Sequence, residues 1–370
     1  MISIKNLFRE GPGPSSQFSM HPYRVAKEFK DDCHDATTIK VTLYGQLITN
    51  SDSCFTAQAL KSAISPFVAR IEIDQESELP NSVIAAKFEA FGKKKTLIKE
   101  KLYYFNKLGE ESELDDESIE KVTTDEMLQW TYNNGRSIWE YALLTDSSNL
   151  EEFISIKWNR MKKIVEKGLE IEGGLPGFEQ QNRRASLFMS RSYKNRDFIQ
   201  QISKTISYTL AVIEENASGK NIVAAPTAKS SGIIPGVLYS LMDVYKISEV
   251  RVVRGLITAG MIGKLLYKEI LYGNLFSDIS IATAMASGAA TQIMGGTPNQ
   301  VIAAASISLS NLDQDKEIET HSHLNYIELN ALAASRALSN ATWALLSDKN
   351  ISKEIDYFYK ITMEDNYLLI

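Results

Sequence analysis

The sequence predicts an α+β protein, with a small α+β domain over residues 1–122 followed by an all-helical domain over 123–370 that has a central buried helix. Three observations carry this. Up to Phe105, short runs alternate apolar with polar residues, the period-two signature of half-buried strands. From Thr124 onward that alternation disappears, and long Ala-, Leu-, Ile- and Ser-rich segments at 3.6-residue spacing replace it. Between the two lies an acidic, apolar-poor stretch, 109–125, which includes Glu110, Glu113, Asp116 and Glu120 and reads as a solvated linker.

Taken in order, residues 1–18 read as a short strand or helix and then a turn, Gly11-Pro12-Gly13-Pro14-Ser15-Ser16, in which Gly and Pro alternate. His21-Pro22 opens an amphipathic helix carrying Tyr23, Val25, Ala26 and Phe29, and Pro22 suits its first turn. In 38–45, Ile39, Val41 and Leu43 alternate with polar residues as a half-buried strand. Residues 55–64 are helical, with Ala57, Leu60 and Ile64 on one face, and 68–73 alternates again. Two further strands, 83–91 and 96–105, flank a Gly92-Lys93-Lys94-Lys95 turn, which gives an antiparallel or mixed sheet. Beyond the linker, Thr124-Asp125-Glu126 caps one helix and 149–167 forms another that stops at Gly168. Helices follow at 199–215, 236–244, 256–272, 279–294, 298–308, 324–339 and 341–346. The segment 279–294 is apolar on most faces and rich in Ala, Ser and Gly, so it belongs in the centre of the bundle.

Composition narrows the function. At 370 residues the chain is long for one domain and natural for two. Its net charge is −6 and no basic stripe tracks phosphates, so nucleic acid is not an expected partner. The start has no long apolar core, so a signal peptide is not expected, and no run approaches the ~20 apolar residues of a membrane span. Two cysteines, Cys33 and Cys54, are too few for a disulfide framework and fit a reducing cytoplasm. A homodimer is expected.

The first candidate for a site is 223–235, read V-A-A-P-T-A-K-S-S-G-I-I-P. It delivers Thr227, Lys229, Ser230 and Ser231 between two helical runs of low polarity, where polar groups are costly unless they have partners or a task. The simpler reading is a helix–helix connection with Gly232 as a cap. A lysine in a desolvated loop serves as a base or forms a Schiff base; otherwise it pairs with an acid or points to solvent. A pyridoxal phosphate site would need a phosphate cup and a pyridine-nitrogen partner, and the sequence offers neither. His321 and His323 form an H-x-H whose rings share one face of an extended segment, which suits a substrate contact, acid–base work or a surface pair; no metal is expected.

An ordered set of motifs then adds up along the chain. Gly13-Pro14-Ser15-Ser16 is followed by Leu43-Tyr44-Gly45-Gln46-Leu47 and Pro80-Asn81. Then come Glu172-Gly173-Gly174-Leu175-Pro176-Gly177, Arg183-Arg184-Ala185, Glu214-Glu215-Asn216-Ala217-Ser218-Gly219 and Ala225-Pro226-Thr227. Gly295-Gly296-Thr297-Pro298-Asn299-Gln300-Val301 and Ile327-Glu328-Leu329-Asn330-Ala331 close it. In this order the chain resembles the bacterial iron–sulfur L-serine dehydratases in their single-chain form, with a β domain ahead of a helical catalytic domain. The resemblance implies a lyase in which a [4Fe–4S] cluster held by cysteines binds the serine hydroxyl and carboxylate, a base takes the Cα proton and hydroxide leaves.

The sequence departs from that pattern at the cluster. Thr283 stands where the resemblance expects the first cluster cysteine, 311–316 replaces the stretch holding the second, and Tyr326 stands at the third. Gln17-Phe18 and Leu79 replace family histidines. A thiolate-held cluster needs three or four cysteines, so no iron–sulfur cluster and no other cofactor is expected. Ser15 and Ser16 carry over as substrate contacts at the domain interface. His21 either stands in for a lost histidine or merely starts its helix. Asn216, Thr227, Glu328 and Asn330 carry over as substrate-pocket positions, Ser230 and Ser231, which replace family alanines, join them as expected substrate contacts, and Arg183 and Arg184 either clamp a carboxylate or pair structurally. The expected function is a cluster-independent lyase of specialised metabolism, acting on an amino acid or amino-acid-derived substrate, with Lys229 as base or nucleophile and His321 or His323 as its acid partner. The alternative is a non-catalytic paralogue that binds an amino acid or a partner subunit.

Overall fold

A computed structural model describes residues 3–75, 79–80, 83–110, 122–176, 181–194, 198–272, 275–310, 325–347 and 352–363. Its architecture is α+β. The strands are β1 (Glu10–Pro12), β2 (Thr38–Gly45), β3 (Val68–Ile73), β4 (Ile84–Phe91), β5 (Leu97–Asn106), β6 (Gly109–Glu110) and β7 (Asn221–Val223). Five of them form a mixed sheet in the order β3-β2-β4-β5-β6, parallel between β2 and β3 and antiparallel elsewhere. Helices α1 (His21–Asp31), α2 (Gln46–Thr49) and α3 (Thr56–Ile64) accompany this sheet. The inward set of β2, Ile39, Val41 and Leu43, packs with Phe29 of α1, Leu60 of α3 and Phe88 of β4. On the other face, Lys40 pairs with Glu72 at 3.1 Å and Lys87 with Glu100 at 2.8 Å, so the sheet is dry on one side only.

The helical part comprises α4 (Thr124–Asn134), α5 (Ile138–Thr145), α6 (Leu150–Glu170), α7 (Ala185–Ser192), α8 (Phe198–Ala217), α9 (Ile233–Tyr245), α10 (Glu249–Leu265), α11 (Tyr267–Leu271), α12 (Asp278–Ile293), α13 (Pro298–Ser310), α14 (Tyr326–Leu346) and α15 (Ser352–Met363). Helix α12 is the buried centre, packed against α9, α10, α13 and α14. Its hydroxyls turn back on its own carbonyls: Thr283 Oγ1 donates to Ile279 O at 2.7 Å and Thr291 Oγ1 to Ser287 O at 2.8 Å. Ser287 also meets Ser308 of α13 at 2.6 Å, and Asn340 Nδ2 of α14 donates to Ser308 Oγ at 2.9 Å, so three helices share one buried polar seam. Among the described residues no helix is long and apolar enough to cross a membrane.

Several expected boundaries shift for identifiable reasons. Helix α6 runs through Gly168 to Glu170. That glycine faces the Ala211 backbone of α8, where a Cβ would overlap the Ala211 carbonyl, so it marks a close crossing and not a stop. The two helices expected at 324–339 and 341–346 are one, α14 from Tyr326 to Leu346, because Asn340 is buried against Ser308 and does not break the helix. Segment 256–272 divides into α10 and α11. The connection at 223–235 begins as strand β7, which pairs antiparallel with β1 in the register Glu10↔Val223 to Pro12↔Asn221.

That pairing brings the start of the chain into the helical part. Ile4 and Phe8 lie against Gly260 of α10, and Leu7 against Gly263. The Asp146 carboxylate accepts from Ser3 Oγ at 2.6 Å, from Ile4 N at 2.9 Å and from the buried Lys264 ammonium at 3.2 Å.

Replacing Gly168 with Ala is expected to lower stability by about 1–3 kcal/mol, because neither helix backbone can yield without repacking. Urea unfolding followed by circular dichroism measures this, and an unchanged midpoint would show that the crossing is looser than described.

Candidate functional site

Between the sheet part and the helical part lies a cavity of about 440 Å³. The turn after β1 supplies Ser15, Ser16 and Phe18; the segment before α3 supplies Cys54 and Phe55; and the end of β5 supplies Lys107. The helical part adds Thr227, Lys229, Asp278 at the start of α12 and Tyr326 at the start of α14.

Local chemistry fixes each contributor. The turn after β1 is seated on the end of α8: Gly13 N donates to Lys220 O at 3.0 Å, and Asn216 Nδ2 donates to Pro14 O at 3.3 Å. A Cβ on Gly13 would overlap the Asn216 carbonyl and side-chain oxygen, so only glycine allows this approach. Ser15 Oγ accepts from Phe18 N at 3.3 Å and caps the short helix Ser16–Met20. Ser16 Oγ accepts from Ala228 N at 2.9 Å, which joins that turn to the Lys229 loop. From the other side, Asn330 Nδ2 of α14 donates to Lys229 O at 2.9 Å and to Tyr326 O at 2.7 Å. The Lys229 backbone is thus held in place while its side chain lines the cavity.

A charged relay borders the same space. Thr227 Oγ1 donates to Asp278 Oδ2 at 3.0 Å, and the other Asp278 oxygen lies 3.4 Å from Lys107 Nζ. Burial pushes the Tyr326 hydroxyl well above its usual range, with the neighbouring Cys54 adding to the effect, and burial likewise raises the Cys54 thiol. Both groups are therefore neutral at physiological pH, and the ion pair bordering the cavity is that of Lys107 with Asp278.

The expected residues divide by position. Ser15, Ser16, Thr227 and Lys229 line the cavity. Ser230, Ser231, Asn216 and Asn330 are buried behind it. Ser230 Oγ is spent within its own turn on the Ala225 carbonyl at 3.3 Å. Ser231 Oγ and Asn330 Oδ1 are buried with no hydrogen-bond partner among the described residues. Glu328 pairs with Arg184 at 2.6 Å and caps α14, and Arg183 pairs with the buried Glu215 at 2.8 Å, so both arginines serve structural pairs. His21 does not line the cavity; its Nε2 is 3.2 Å from the Lys107 carbonyl and must donate to it. His321 and His323 lie outside the described residues.

Sequence reasoning missed Cys54, Lys107 and Asp278 as members of one site, since they come from three separate segments that only the tertiary fold brings together; the sequence already marks Tyr326, as the position of the third family cysteine.

The serine dehydratase alpha chain family model matches residues 77–313. The chain is 27% identical to the L-serine dehydratase of Streptomyces coelicolor over 98% of this chain and 94% of that protein. It is 26% identical to the L-serine dehydratase of Haemophilus influenzae over 99% and 96%. A probable L-serine dehydratase alpha chain of Bacillus subtilis is 28% identical over 54% of this chain and 70% of its own.

These relatives correct the expectation that no cofactor, and in particular no iron–sulfur cluster, takes part: they are iron–sulfur serine dehydratases, and the relationship points to a cofactor. The thiols of this chain do not by themselves fit such a group. A thiolate-held cluster takes three or four cysteines; the chain has two, of which Cys33 is buried in the core beside the sheet and Cys54 faces the cavity. Thr283 is turned onto its own helix, and no group of three or more His, Cys, Asp or Glu suited to a metal occurs among the described residues.

His21 makes native stability depend on pH. Burial first, and the Arg9 charge second, lower its pKa from 6.5 to about 3. Between these values the unfolded chain binds a proton that the native chain refuses, so stability falls as pH drops from 6.5 toward 3, by up to about 1.4 kcal/mol per pH unit. His21→Gln is expected to flatten this loss between pH 6.5 and 5, read as the change in urea midpoint. Equal slopes in both proteins would place the acid sensitivity elsewhere.

Proposed function

Because the chain belongs to the serine dehydratase family, we propose that it is a lyase acting on an amino acid or amino-acid-derived substrate in the cavity between its two parts, with Lys229 taking the Cα proton. The observation that carries this reading is the convergence of Lys229, the Lys107–Asp278–Thr227 relay and two serine hydroxyls on one space of about 440 Å³. That volume is within the range of small-molecule sites.

The division of labour follows from the positions. The Lys107 ammonium and the Ser15 and Ser16 hydroxyls receive the substrate carboxylate, while Asp278 and Thr227 receive its ammonium group. The Lys229 amine accepts the proton as the Cα–H bond breaks. The released pair forms the Cα=Cβ bond, the Cβ–O bond breaks, and the departing oxygen leaves with that bond's electrons and takes the proton now held on the Lys229 ammonium, which restores the amine. The enamine product tautomerises to an imine, and water converts it to a keto acid and ammonia. The apolar walls, Phe18 and Phe55, restrict water around the reacting carbons. A cytoplasmic setting accords with the two free thiols, and a homodimer accords with the exposed Trp343 and Leu346 near the end of α14.

Keto-acid release from L-serine and from its O-acyl and O-phospho esters tests the reading. Lys229→Ala is expected to lower kcat by about 10²-fold or more while leaving the circular dichroism spectrum and melting midpoint unchanged. Undiminished turnover in that variant would remove Lys229 from the chemistry. Absence of turnover by the wild-type protein with every ester, despite bound amino acid, would favour the non-catalytic binder.

A further inference from the structure

Beside the β1–β7 pair, a second cleft of about 790 Å³ opens between α1 and α6, lined also by β7. We infer that this cleft is a binding site for a small anion carrying two or more negative charges, a phosphate compound or a polycarboxylate, distinct from the lyase cavity and independent of the reading given to that cavity.

The charge balance of its walls supports this. Arg24 and Lys27 from α1, Arg160, Lys163 and Lys167 from α6, and Lys220 beside β7 face it, against four carboxylates, Glu10, Glu28, Asp31 and Glu215. Three of those carboxylates are held by cations that do not line the cleft. Glu10 pairs with Lys157 at 2.7 Å, Glu215 with Arg183 at 2.8 Å, and Asp31 with Lys30 at 3.9 Å. Arg24 and Glu28 answer each other at 4.0 Å, Arg160 reaches Glu10 only at 4.0 Å, and Lys167 reaches Glu215 at 3.9 Å. Lys27, Lys163 and Lys220 come from three different elements, and among the described residues none has a carboxylate within 4.0 Å. A concave wall of low dielectric concentrates the field of such unmatched cations. The whole chain has a net charge of −6, so this local excess runs against the average and is not a by-product of a basic protein.

Lysines suit the assignment chemically. They act as mobile point charges on a compact, multiply charged anion, without the planar fork that would select a single carboxylate. The cleft also adjoins the catalytic candidates through the backbone. Helix α1 directly follows Ser16–Met20, and Lys220 stands three positions after Ala217, which lines the lyase cavity.

Isothermal titration of the full chain with sodium pyrophosphate and, separately, with citrate at low ionic strength tests the inference without any turnover. Binding of one anion per chain is expected for at least one of the two probes, weakening as sodium chloride is added. The anion that binds assigns the class. Lys27→Gln/Lys163→Gln/Lys220→Gln is expected to weaken binding by about tenfold or more, corresponding to about 1.4 kcal/mol. The single Lys163→Gln variant should lose part of it, and Lys229→Met should bind as the wild type does. Absence of binding by either probe would overturn the assignment, as would undiminished affinity in the triple variant or loss of affinity in Lys229→Met.

Discussion

The structure depends on one short antiparallel pairing, β1 with β7. Its bonds are few, but its position is decisive. It fixes the turn Gly13–Ser16 against the end of α8 and the Lys229 loop, with Ser16 Oγ taking the Ala228 amide. The cavity lined by Lys229 and the cationic cleft both border the segments that this contact joins. Such an arrangement needs residues that permit close approach, which Gly13 supplies, and residues that satisfy a buried backbone, which Ser16 and Asn330 supply.

Much of the fold was legible because hydrophobic period reports burial directly. Ile39, Val41 and Leu43 named the inward face of β2, and the Ala-, Ser- and Gly-rich run 279–294 named the central helix, observed at Asp278–Ile293. Where the reading failed, a residue had two physical uses. Gly168 read as a terminator but serves as a contact point between helices. Asn340 read as an interruption but is a buried donor to Ser308. Strand β7 was too short to show a period, and its partner lies about 210 residues earlier in the chain, as the register Glu10↔Val223 shows.

The candidate site was legible in part for a similar reason. The loop holding Thr227 and Lys229 stood out because polar groups between apolar helices must be accounted for. Lys107 and Asp278 had ordinary neighbours in sequence and become notable only through their neighbours in space. Arg183 and Glu328 looked like ligand-binding groups, yet each already has an opposite charge within the protein, at 2.8 Å and 2.6 Å. The cofactor expectation shows the hazard of reading a residue count as a conclusion: missing cysteines describe the donors of this chain, whereas kinship describes the chemistry of its relatives.

The anchoring of Ile4, Leu7 and Phe8 against Gly260 and Gly263 has a consequence for biogenesis. As the polypeptide leaves the ribosome, these apolar side chains emerge some 250 residues ahead of their docking surface, which at typical elongation speeds is a wait on the order of ten seconds or more. Through that interval they are exposed, and the sheet part can assemble behind them. Closure of the molecule is then a late, long-range event, and a chaperone that shields this segment would act on yield without touching the finished protein.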